Sequence, residues 1–183
     1  MKNFVRSNQY LSLCGLNCHL CPMYLGNHCQ GCGRGNQSCK IARCSILEGN
    51  LEYCFECEKY PCTTYDKIDD FDSFITHRNQ KDNLRKAQSE GIEKYNAEQK
   101  EKEKILDLLL KQYNDGRKKT FYCIAVNLLD MQILQSIMWS LENNQDLKMM
   151  DYSKRCDFVY RMFNEKEKEL KYEFKLKKMK RII

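Results

Sequence analysis

The residues able to do chemistry crowd into one stretch: Cys14, Cys18, Cys21, Cys29, Cys32, Cys39, Cys44, Cys54, Cys57 and Cys62, ten of the twelve cysteines in a 183-residue chain. The other two, Cys123 and Cys156, stand far outside it. Such segregation points to one local task, metal coordination or a disulfide lattice, rather than to scattered core packing. Three pairs, Cys18/Cys21, Cys29/Cys32 and Cys54/Cys57, have C-x2-C spacing. Two intervening residues let a tight turn present both sulfurs to one ion or one cluster face, as in structural zinc sites. Gly31 and Gly33 suit the positive backbone dihedrals of such turns.

Compartment decides between metal and disulfide. The opening MKNFVRSNQYLSLCGL has Lys2 and Arg6 but no apolar run of about 7–15 residues after them, so no signal peptide is visible. A cytoplasmic chain keeps its thiols reduced, and clustered cysteines then serve as metal ligands. Cysteines two residues apart also close very small loops, which constrain an unfolded chain little. Metal is the expectation.

Zinc takes four thiolates, or thiolates mixed with imidazole, in a tetrahedron, and thiolates also hold iron–sulfur clusters. The C-x3-C-x2-C opening at Cys14, Cys18 and Cys21 is closer to cluster-binding triads, whereas C-x2-C-G at Cys29–Gly33 looks like a zinc knuckle. Ten cysteines fill two four-ligand sites with two left over. Zinc is favoured as the commoner structural metal of small cytosolic modules, and a [4Fe-4S] cluster is the alternative. One site or two, and the grouping of ligands, stay open. His19 and His28, each beside a cysteine, read as bystanders among so many thiols.

The segments CGLNCHLCPMYL, CQGC, SCKIARC and YCFECEKYPC resemble the cysteine-rich family catalogued as domain of unknown function 3795. The resemblance covers residues 14–62 well and runs more loosely through GIEKYNAEQ and DGRKKTFYCIAVNLL. Asn17 stands where that family usually has Asp, a minor departure, since neither residue is a primary ligand beside thiolates. The resemblance sharpens the module's boundary without fixing its chemistry. The family's association with anaerobes tilts the balance towards iron–sulfur.

Outside the module, Arg117, Lys118 and Lys119 precede Phe121, Tyr122 and Cys123. This arrangement offers a phosphate contact, or Cys123 as a cofactor-binding residue. The alternative is a turn with solvated cations and Cys123 as a small buried hydrophobe. No P-loop pattern is present. Cys156 lies on an apolar stripe and reads as core. Thioredoxin-like chemistry needs a βαβ setting that is absent. His77 has no nucleophile beside it, and the pairs Asp69/Asp70 and Glu101/Glu103 read as solvated faces. Trp139, beside Met138 and near Met131, reads as core.

The elements around the cysteines follow from periodicity. Phe4, Val5, Tyr10, Leu11 and Leu13 form a strand or pack on the module. Within residues 14–62 only Cys39 to Leu51 supports a short helix, ended by Gly49-Asn50. Asp66 to Ile75 suits a short helix, and Lys81 to Tyr113 a long, highly charged one. Thr120 to Leu129 is a buried strand or a core helix. Asp130 precedes a helix over Met131–Asn143, and Tyr152 to Lys180 reads as a second long helix. The run Ile124–Trp139 is too short and too polar to span a bilayer. The net charge of +6 is uneven: residues 152–183 carry eleven basic against five acidic side chains. That is a solvated helix, or a surface for nucleic acid or an acidic membrane.

The expectation is a mainly α protein: a small, irregular, cysteine-rich metal module at residues 1–62, then a helical region at 63–183 with two long charged helices. The expected function is cytoplasmic, non-enzymatic metal binding, with the helices offering a surface to a protein partner or to a second copy. An iron–sulfur protein for electron or sulfur transfer is the alternative. Nucleic-acid binding through the basic C-terminal helix is less favoured.

Overall fold

A computed structural model of the chain describes residues 4, 6 and 8–179. Those residues hold eight α-helices and no strand, the mainly α architecture the sequence pattern predicts. The chain divides into two compact units, one running up to residue 100 and including the segment from 176, the other residues 101–175. The cysteine stretch 14–62 lies wholly within the first unit.

That stretch is built from tight turns rather than long elements. Short 3-10 turns at Cys18–Leu20 and Cys54–Glu56 alternate with α1 (Pro22–Leu25) and α2 (Lys40–Leu47). Helix α2 begins where Cys39 Sγ accepts the Ala42 N–H at 3.5 Å. It ends at Gly49 and Asn50, both at positive φ. The described residues of the lead-in form no strand. Phe4 and Leu13 bury beside Ala42 with Cys32, Cys39 and Cys54 against them. Leu11 joins Tyr53, Tyr65, Leu84, Ala87 and Tyr95 in a second cluster. Val5 falls outside the described residues.

The single helix expected over Lys81–Tyr113 is broken in two. Gly91, at φ 90° and ψ 146°, ends α3 (Gln80–Glu90), and α4 (Ile92–Gln112) starts at once. Glycine adopts that conformation without the steric cost other residues meet. The helix expected over Asp66–Ile75 does not form either. A 3-10 turn at Thr63–Tyr65 leads into bends there. Asp72 instead accepts the His77 N–H at 2.7 Å and the Lys177 N–H at 2.9 Å, while its own N–H goes to Lys177 O. Side chains that bond nearby backbone in this way compete with the helix ladder.

The second unit contains residues 101–112 of α4, then α5 (Lys119–Leu128), α6 (Met131–Glu142), α7 (Gln145–Met149) and α8 (Tyr152–Glu169). The apolar run at 120–129 is therefore a helix. Phe121 meets Tyr160, Phe163 and Phe174 ring to ring in its core. Asp130 occupies the N-cap of α6 but makes no side-chain cap bond, whereas Asp151 caps α8 by accepting the Lys154 N–H at 3.0 Å. Helix α8 stops at Glu169 instead of continuing to Lys180. Lys171 turns to φ 54°, and Phe174 then buries against Phe121; Lys180 itself lies outside the described residues. Trp139 is 68% exposed and not a core residue, because Leu134, Ile137, Met138 and Leu141 take the buried face of α6.

Candidate metal centre

The first cysteine is held by a closed turn. Ser12 N–H donates to Leu16 O at 2.8 Å, and Leu16 N–H donates to Ser12 Oγ at 2.7 Å. That leaves the Ser12 hydroxyl proton for Cys14 Sγ, 3.3 Å away. Gly15 sits between them at φ 96°, and a Cβ there would run into the Gln80 carbonyl and the Leu84 side chain of α3. Only glycine allows both this conformation and this approach. From α3, Asn83 Nδ2 donates to Gly15 O at 2.9 Å. The turn is pinned to a helix.

Four thiols gather around this turn. Cys14 lies in the field of Cys39, Cys18 in those of Cys32 and Cys14, and Cys32 in those of Cys14 and Cys39. Burial pushes all three of these thiols up, Cys32 to about 12, and their neighbours' charges push further. Donors aimed at sulfur oppose that rise: Ser12, the Leu16 amide and Gln80 at Cys14, the Cys32 amide at Cys18, and the Leu13 amide at Cys32. Ala42 N–H donates to Cys39 Sγ at 3.5 Å, so each of the four sulfurs has a hydrogen-bond donor beside it.

Arg6 stands beside this group. It is 3% exposed, and its charge lowers the Cys32 thiol. Nη2 donates to Leu11 O at 2.8 Å and lies 3.4 Å from Glu52, and the guanidinium covers the Tyr53 ring at 4.9 Å. Nε and Nη1 are buried without a hydrogen-bond partner. A desolvated guanidinium is costly unless negative charge faces it; Glu52 supplies one such charge and leaves the two donors idle.

The second group surrounds a cavity of about 120 Å³. Cys44 reaches it from α2, and Cys54, Cys57 and Cys62 from the loop that follows. Leu13, Ile41 and Leu51 give it apolar walls, with Tyr60 and Tyr65 beside the thiols. The two rings pack edge to face at 4.9 Å. Burial pushes Cys54 up to about 12, the neighbouring Tyr65 hydroxyl pulls it back, and Cys14, Cys62 and Cys44 raise it further. Tyr65 also donates to Cys14 O at 3.3 Å, and Cys54 N–H donates to Leu13 O at 3.0 Å. The two groups are neighbours.

Of the remaining sequence candidates only Cys21 adjoins either group. Cys21 neighbours Cys18 and is buried at the start of α1. Cys29 Sγ packs where a Cβ on Gly35 would fall. His19 is stacked between Tyr10 and Tyr24, each ring 4.5 Å away. Cys123 is buried in α5 and Cys156 in α8, both in the second unit. Arg117 and Lys118 pair with Asp115, and Lys118 also with Asp157. Ser12, Gln80, Arg6 and Tyr65, which serve the thiols directly, carry no spacing signal in the sequence.

None of the twelve cysteines is joined in a disulfide. Among the described residues, no three His, Cys, Asp or Glu side chains converge closely enough to close on a single ion. The donor set nonetheless suits a thiophilic metal, because it combines thiols, sulfur-directed N–H groups and a buried cation. Comparison with protein-family models, curated proteins and solved structures finds no match to this chain.

Proposed function

We propose that residues 14–62 are a thiolate metal-binding module with two neighbouring centres, Cys14/Cys18/Cys32/Cys39 and Cys44/Cys54/Cys57/Cys62. The observation that supports this reading is the clustering itself: Cys14, Cys18, Cys32 and Cys39 lie close together with hydrogen-bond donors at sulfur and Cys21 beside Cys18, and Cys44, Cys54, Cys57 and Cys62 line one cavity. A structural role for the first centre fits its burial and its hydrogen bonds, and zinc is the metal such closed thiolate sites commonly take. The helices then act as scaffold and as a surface for a protein partner, with the exposed Trp139 of α6 as a candidate contact.

The test is elemental analysis of the full chain, purified without oxygen, beside Cys18→Ser and Cys57→Ser. Metal bound in stoichiometric amount, with each substitution removing a different part of it, supports two centres. A chain that binds no metal and keeps its helical content and ten reactive module thiols sinks the proposal.

A further inference from the structure

We infer that the second centre seats a polynuclear metal–sulfur cluster rather than a single ion. This rests on the reading of residues 14–62 as a thiolate metal module, and it names the cofactor class of one site. A single tetrahedral ion draws its sulfurs to about 2.3 Å and leaves no space between them. Here Cys44, Cys54, Cys57 and Cys62 stand on the walls of a 120 Å³ cavity. That is roughly ten times the room one water molecule needs. Open space bounded by four thiols is the arrangement that a group with its own bridging atoms fills.

The chemistry of the walls agrees. Leu13, Ile41 and Leu51 supply apolar walls, and Lys40 and Glu48 also stand on the lining. The thiols are the soft donors, and iron–sulfur clusters are held by four cysteine thiolates. Tyr65 is buried on the same lining as Cys54, with its hydroxyl donating to Cys14 O at 3.3 Å. Cys44 is exposed, so the seat has a solvent edge. The first centre has the opposite character, gathered about a closed turn with a buried guanidinium beside it.

The experiment uses the full chain purified without oxygen, assayed for iron, zinc and acid-labile sulfide, and for visible absorption before and after dithionite. Iron and sulfide in equal amounts, about two to four of each per chain, with a broad band that bleaches, are expected. Cys57→Ser should abolish both, and Cys18→Ser should leave them. Leu51→Trp keeps all ten cysteines and fills the cavity. It should lose iron and sulfide while retaining the metal of the first centre and the wild-type helical signal. Zinc or iron without sulfide in the wild type overturns the inference and leaves the metal module standing. So does iron–sulfur absorption that survives Cys57→Ser. A chain that takes no metal at all, even when supplied with iron and sulfide, overturns both.

Discussion

The hydroxyl of Tyr95 on α4 donates a 2.8 Å hydrogen bond to Oδ1 of Asn17, one residue before Cys18. Both residues are buried. The bond ties a helix of ordinary apolar packing to the cysteine turn, so folding of the helices and placement of the thiols are coupled. Tyr95→Phe leaves an Asn17 acceptor buried without this donor, which costs about 1–3 kcal/mol. Urea unfolding of the metal-loaded chain should show that loss, together with faster alkylation of Cys18. An unchanged midpoint would mean the helices and the turn are not joined through this bond.

Gly15 and Gly49 make a matched pair for testing the approach of α3 to the cysteine turn. Both are at positive φ, but a Cβ at Gly15 meets the Gln80 carbonyl, whereas nothing lies within 4 Å of one at Gly49. Gly49→Ala should therefore cost only backbone strain, about 1–2 kcal/mol. Gly15→Ala adds displacement of α3 and should cost well over about 2 kcal/mol. The comparison is read from thermal melts and metal content, and equal losses would argue against the close approach.

The cysteine spacing made the module legible, because metal-ligand loops carry their chemistry in residue type and interval. It did not make the grouping legible. C-x2-C pairs suggest shared sites, yet Cys29 of the Cys29/Cys32 pair packs at Gly35 while Cys32 joins Cys14 and Cys39. The partners of a thiol depend on how the loops fold over one another, which intervals along the chain do not encode. The long-helix readings failed for a related reason. Charged residues at helical spacing continue across Gly91 and past Glu169, and only the backbone conformations at Gly91 and Lys171 end the ladders. The Asp66–Ile75 helix was lost to Asp72, whose carboxylate prefers the His77 and Lys177 amides.

Arg6 should act as the positive charge that balances the first centre. Four thiolates around a divalent ion carry net negative charge, and Nε and Nη1 of Arg6 are the idle donors beside them. Arg6→Met keeps much of the packing against Tyr53 and removes the charge. It should weaken metal at the first centre by about 10–100-fold, the usual effect of losing a residue that supports the ligands. Arg6→Lys should recover part of that affinity. Competition with a chromophoric chelator gives the affinities, and Cys57→Ser as background isolates the first centre. A metal affinity indifferent to both substitutions would make Arg6 a packing residue only.

Metal uptake should release protons, because burial raises the thiols that must become thiolates. The sign differs between the two states of the chain. Without metal, Cys32 and Cys54 have thiols raised from the ordinary value of 9.0 to about 12. Their contribution to stability is fully present below pH 9 and is lost as pH climbs towards 12. With metal, the same thiols must lose their protons, so affinity rises with pH throughout the neutral range. Each ligand that gives up a proton adds roughly one decade of affinity per pH unit, up to about four decades for a full centre. Chelator competition between pH 6 and pH 8, with proton release followed in weakly buffered solution, measures that slope. A slope near zero would show that the thiols are not the groups that take the metal.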